Sequence, residues 1–126
     1  GSGMVGELVE EIDTLSFLNQ IKSTFGAGSL RYTTILKGTV KRIAVCGGSG
    51  SFLLPDAIEA GADVFVSSDF KYHQFFDAEN QIVIADIGHF EAEKFTKELI
   101  YDFLREKFPT FVVRLSHIKT NPVNYL

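Results

Sequence analysis

Three short apolar runs, Val40 to Cys46, Val64 to Ser67 and Ile82 to Asp86, are rich in β-branched residues and are separated by stretches of helical character. This alternation constrains the fold more than any other feature of the chain. Strands joined through helices lie parallel with right-handed crossovers, and the sheet they form is covered by helices. The expected class is therefore α/β, with a mainly parallel or mixed sheet. Phe52 to Ala60 reads as a short helix ended by Gly61, with Pro55 accommodated in its first turn. Phe70 to Asp77 reads as a second helix. Phe90 to Phe108 reads as the longest, stopped before Pro109.

The flanks carry weaker patterns. Residues 1–13 mix glycine with acids and read as an extended lead-in. Asp13 or Thr14 can cap a helix to about Phe25, with Leu15, Leu18, Ile21 and Phe25 at helical spacing. Gly26 and Gly28 end it. Leu30 to Ile35 and Phe111 to Leu115 read as strands. No repeat or linker interrupts the 126 residues, of which 45% are apolar and 22% charged, so one domain with a real core is expected.

Charge and cysteine usage remove some function classes. A net charge of −4 argues against nucleic acid, whose phosphates call for a basic stripe. No apolar run is long enough to span a membrane and no signal peptide is visible, so a cytoplasmic location is expected. The single cysteine, Cys46, permits no intrachain disulfide and reads as a small core residue.

Ligands of open α/β sheets bind beyond the carboxyl ends of the strands. The three central runs thus nominate the loops Gly47–Ser51, Ser67–His73 and Asp86–Glu93, where nearly all the chemically interesting residues fall. The first is glycine-rich, either a tight turn or an anion cradle. The dinucleotide fingerprint fails, because Leu53 stands where its third glycine belongs, so no organic cofactor is indicated. The second loop sets Asp69, Lys71, Tyr72 and His73 close together. Asp69 reads as a helix cap. The other three read either as a polar site or as a solvated helix start.

The third loop carries the sharpest signal. His89 and Glu93 share one helix face four residues apart, with Cβ atoms about 5–6 Å from each other. An imidazole nitrogen and a carboxylate oxygen at that spacing can reach one divalent ion, and equally can form a surface pair. Two donors alone do not complete a metal shell. Glu91 lies about 200° around the helix from His89 and reads as solvated.

Taken in order, Val45-Cys46-Gly47-Gly48-Ser49-Gly50-Ser51, Ala57 to Asp63, Ser68 to His73, Asp86-Ile87-Gly88-His89-Phe90 with Glu93, and Thr120-Asn121-Pro122 resemble the second half of the NIF-three-like family. Its members are often called GTP cyclohydrolase I type 2 homologues. The resemblance implies an α/β protein of two related halves with a dinuclear metal centre, assembled as a homo-hexamer. It implies that His89 and Glu93 are metal ligands, and that Lys71, Tyr72 and His73 lie near the pocket as substrate contacts. The ions would be zinc, iron or manganese, two per complete site. Ser67-Ser68 departs from the family's Thr-Gly before Asp69. The adjacent histidine pair and the aspartate of the family's first half have no counterpart here. The expectation is therefore the C-terminal half of a longer protein, holding an incomplete site. Met4-Val5-Gly6-Glu7-Leu8 resembles the stretch that opens that half.

Two function classes follow, with a weaker third, a nucleotide-binding module using Gly47–Ser51. The first is a metal-dependent hydrolase, in which the complete protein acts on a nucleotide-like small molecule and this chain alone is inactive. The second is an assembly or protein-interaction module in which the metal is structural.

Overall fold

The computed structural model describes residues 2–126, so Gly1 of the lead-in lies outside the described residues. The central runs form three parallel neighbours: β3 (Thr39–Ser49), β4 (Val64–Ser68) and β5 (Val83–Asp86). Antiparallel edges complete a mixed five-stranded sheet. β1 (Met4–Asp13) pairs with β3 and β2 (Arg31–Tyr32) with β5, giving the order β1-β3-β4-β5-β2. The lead-in is thus a sheet strand. Its exposed Glu7, Glu10 and Glu11 discourage further pairing at that edge.

Side chains alternate across a strand, which splits the core in two. Val40, Ile43, Val64, Val66, Val83 and Ala85 face Phe17, Leu18 and Ile21 of helix α1 (Thr14–Thr24). Ala44, Phe65, Ile82 and Ile84 face Leu54 and Ala57 of α2 (Leu54–Glu59), together with Phe70. Burial on both faces is the reason the central strands read as unbroken apolar runs. α1 is capped by the Asp13 carboxylate, which accepts from Ser16 N at 2.8 Å. Its buried face includes Phe17, while Leu15 points outward at 49% exposure.

Several expected elements differ. Phe111 to Leu115 forms no strand, and the chain from residue 108 to its end has no regular helix or strand. The outer edges of β1 and β2 stay open, and among the described residues this β-prone run pairs with neither. Leu30 to Ile35 shrinks to the two residues of β2. The segment expected as the helix Phe70 to Asp77 is a 3-10 helix over Tyr72–Ala78. The long helix from Phe90 is divided into α3 (His89–Glu93) and α4 (Thr96–Lys107). Lys94 and Phe95 keep helical dihedrals at the break, so the apolar period runs through it and sequence gives no warning. None of the residues of α4 is buried.

Candidate metal centre

The carboxyl ends of β3, β4 and β5 bring the three nominated loops together. The first contributes Gly48, the second Asp69 and the third His89 and Glu93. Cys46 to Gly48 lie where the pairing of β3 with β4 shifts register, between Val45 and Ser49. The glycine-rich segment therefore extends a strand through a bulge and does not turn into a cradle. Gly48 holds φ +66°, and a Cβ there would collide with Glu93 Oε1 and stand 3.5 Å from His89 Cε1. Its carbonyl accepts hydrogen bonds from the buried hydroxyls of Ser67 and Ser68. Glycine is thus required twice, for its dihedral and for the space in which His89 and Glu93 meet.

His89 opens α3 with both ring nitrogens engaged. Nδ1 lies 2.6 Å from Asp69 Oδ2, and Nε2 lies 3.2 Å from Glu93 Oε2. A carboxylate only accepts, so a proton on Nδ1 faces Asp69 at the shorter of the two contacts, and with no ion bound a proton on Nε2 would face Glu93 in the same way. The Asp69 hydrogen bond raises the His89 pKa above its ordinary value. Partial burial opposes this, and the charges of Asp69 and Glu93 add to it.

Buried Asp86, at the end of β5, ties the second and third loops to each other. Its Oδ2 accepts from Phe70 N at 3.1 Å and from Arg31, and its Oδ1 accepts from Gly88 N at 3.1 Å. Arg31 also donates to the Phe70 carbonyl at 2.9 Å. This brace fixes the backbone beside both Asp69 and His89. Asp86 was visible as part of the loop. Arg31 carried no sequence signal, because its partners lie 39 and 55 positions away.

A cavity of about 1110 Å³ opens beside the pair, bounded by α4 and the C-terminal tail and lined by Arg31, Asp69, His89, Glu93, Lys97 and Tyr125. Lys71, Tyr72 and His73 do not line it. All three are exposed, Tyr72 at 71%, and the Tyr72 ring packs edge-on to His73 and Phe76. Tyr72 borders a separate groove with Tyr32 and Phe76.

Two readings of single residues are corrected. Asp69 caps no helix; the 3-10 helix begins at Tyr72 with Lys71 at its N-cap, and the Lys71 amide donates to Gln74 Oε1 at 2.8 Å. Glu91 is buried, not solvated, at 5% exposure. The side of α3 turned away from His89 faces the tail. There, burial and the Glu91 carboxylate push the Tyr125 phenol above its ordinary pKa.

The donor chemistry fits part of a divalent-metal shell. His89 Nε2 and the Glu93 carboxylate face each other across the space left by Gly48. Asp69 sits on the opposite ring nitrogen, so the three groups do not converge on one point. Among the described residues no group of three or more His, Cys, Asp and Glu could hold an ion.

The sheet and its polar carboxyl-end site define an open α/β protein, covered on both faces, with a pocket beyond its parallel strands. The chain belongs to the Duf34/NIF3 (NGG1p interacting factor 3) family, whose model matches residues 1–122. It is 42% identical over 94 residues to a "GTP cyclohydrolase 1 type 2 homolog" of Clostridium perfringens, a match covering 74% of this chain and 36% of that protein. The protein of the same name from Staphylococcus epidermidis is 33% identical over 129 residues, 99% of this chain and 35% of that one. The chain thus spans little more than a third of these relatives. Among solved structures, Staphylococcus aureus protein SA1388 superposes with a TM-score of 0.82 at 30% identity, over 98% of this chain and 42% of that one. A Bacillus cereus protein related to NIF3 does so at 0.83 and 27% identity, over 100% and 36%. The expected family fold is the one observed. Among the described residues no helix is long and apolar enough to cross a membrane.

Proposed function

We propose that His89 and Glu93 are two ligands of a divalent-metal centre completed from outside this chain, and that the complete protein is a metal-dependent hydrolase of a nucleotide-like small molecule. The carrying observation is the pairing of His89 Nε2 with Glu93 across Gly48, at the mouth of the cavity. A bound zinc, iron or manganese ion would supply Lewis acidity and acidify a water. The chain's own residues bind and orient. Asp69 holds the ring, Arg31 and Lys97 bring positive charge to the cavity wall, and Asp86 keeps the two loops in register. The relatives' name makes GTP the first substrate to examine. Lys71, Tyr72 and His73 would contact substrate only if it extended beyond the cavity. In a protein of the relatives' length, His89→Ala should abolish GTP turnover. Turnover at the wild-type rate would overturn the reading.

One observation favours a second reading, a non-catalytic assembly module with a structural metal. Leu99, Ile100 and Phe103 of α4 are 71%, 52% and 56% exposed. An apolar face of that kind suits coverage by another surface, including a homo-oligomeric one such as a hexamer. Assembly that collapses on chelation, without turnover of any nucleotide, would select this reading.

A further inference from the structure

We propose that Asp69 is the positioning residue of this centre. It holds the His89 ring so that Nε2, and not Nδ1, is presented toward Glu93. The proposal rests on the metal-ligand reading of His89.

Among the described residues the Asp69 carboxylate has no side-chain hydrogen-bond partner other than His89, whose Nδ1 lies at 2.6 Å, across 20 positions of sequence. It caps no helix, and at 47% exposure its burial contributes little packing. Its backbone nevertheless holds φ +61°, a region that residues other than glycine seldom occupy. Such a conformation persists only where the surroundings over-determine it. Both neighbours are pinned. The Ser68 hydroxyl is bonded to the Gly48 carbonyl, and Phe70 is buried with its amide on Asp86. The chain thus holds Asp69 in a disfavoured conformation that delivers its carboxylate to one ring nitrogen.

That nitrogen is the one turned away from Glu93. A carboxylate on Nδ1–H fixes the neutral tautomer with its lone pair on Nε2, and it makes that nitrogen a better donor to an ion. Nε2 lies on the Glu93 side, beside the space left by Gly48. Without Asp69 the ring can rotate, and either nitrogen can carry the proton.

Asp69→Gly is the informative variant, because glycine accepts the dihedral without strain. Nitrogen NMR of the metal-free 126-residue chain, at a pH where His89 is neutral, reads the tautomer directly. The expected result is a single Nδ1-protonated form in the wild type and a mixture in Asp69→Gly, whose melting temperature should be no lower. In a protein of the relatives' length, zinc affinity by chelator competition should fall about 10–100-fold in Asp69→Gly. The fall should be smaller in Asp69→Asn, whose amide oxygen still accepts. An unchanged tautomer, or unchanged zinc affinity in Asp69→Gly while His89→Ala abolishes binding, would overturn the positioning role alone. Zinc bound equally by His89→Ala would overturn the metal reading as well.

Discussion

Asp69 and His89 meet at 2.6 Å through side chains borne on different loops, one after β4 and one after β5. Each loop is anchored to Asp86, through Phe70 N and Gly88 N. The contact is therefore a product of the parallel sheet. Adjacent parallel strands deliver their carboxyl ends side by side, and one buried carboxylate locks the two exits together.

Replacing Asp86 by alanine should then loosen both loops. The amides of Phe70 and Gly88 would lose their acceptor, and an expected loss of about 2–6 kcal/mol follows from two unsatisfied donors at about 1–3 kcal/mol each. Arg31 is half-exposed and can be hydrated, so its lost partner adds little. Chemical denaturation gives the stability, and the His89 ring resonances should broaden or shift in the same variant.

Gly48→Ala should damage the site more than the fold. The dihedral alone costs roughly 1–3 kcal/mol for a residue with a Cβ. The new methyl would collide with Glu93 Oε1 and force that carboxylate away from His89. A folded variant with a modestly lowered melting temperature and no retained metal is the expected outcome. Metal retention at the wild-type level would show that the Gly48 space is not used.

A pH prediction comes from the far end of the sheet. Burial alone would raise Asp63, but the Lys37 ammonium and the amides of Arg42 and Lys41 outweigh it and leave the carboxyl below its ordinary value. Lys37 Nζ lies at 2.7 Å and the two amides at 2.9 Å. A folded pKa lowered in this way stabilises above the unfolded value of about 4 and is lost as pH falls through the folded one. Asp63→Ala should cost about 1–3 kcal/mol at pH 7. The gap in melting temperature between wild type and variant should close in acid.

The three parallel strands were legible because residues buried on both faces leave an uninterrupted apolar run, as at Val64–Ser68, where all five residues are buried. The convergence of loops was legible for the same reason, since parallel order fixes which ends lie together. What escaped was set by tertiary neighbours. Phe111 to Leu115 has the composition of a strand and pairs with neither edge of the sheet. Glu91 has the helical phase of a solvated residue, and a tail residue 34 positions later, Tyr125, faces it. Asp69 stands where a cap belongs, and its left-handed backbone sends the carboxylate to another loop. Local spacing contains none of these partners.

The central claim is that His89 and Glu93 hold a divalent ion with donors from outside this chain. The direct test is metal content by plasma mass spectrometry after dialysis, in a protein of the relatives' length. His89→Ala and Glu93→Gln would be compared with wild type, and His117→Ala, a substitution in the exposed tail, would serve as the control. The account predicts bound metal in wild type and in His117→Ala, and loss of ion in both site variants. Equal metal in His89→Ala and wild type would contradict it.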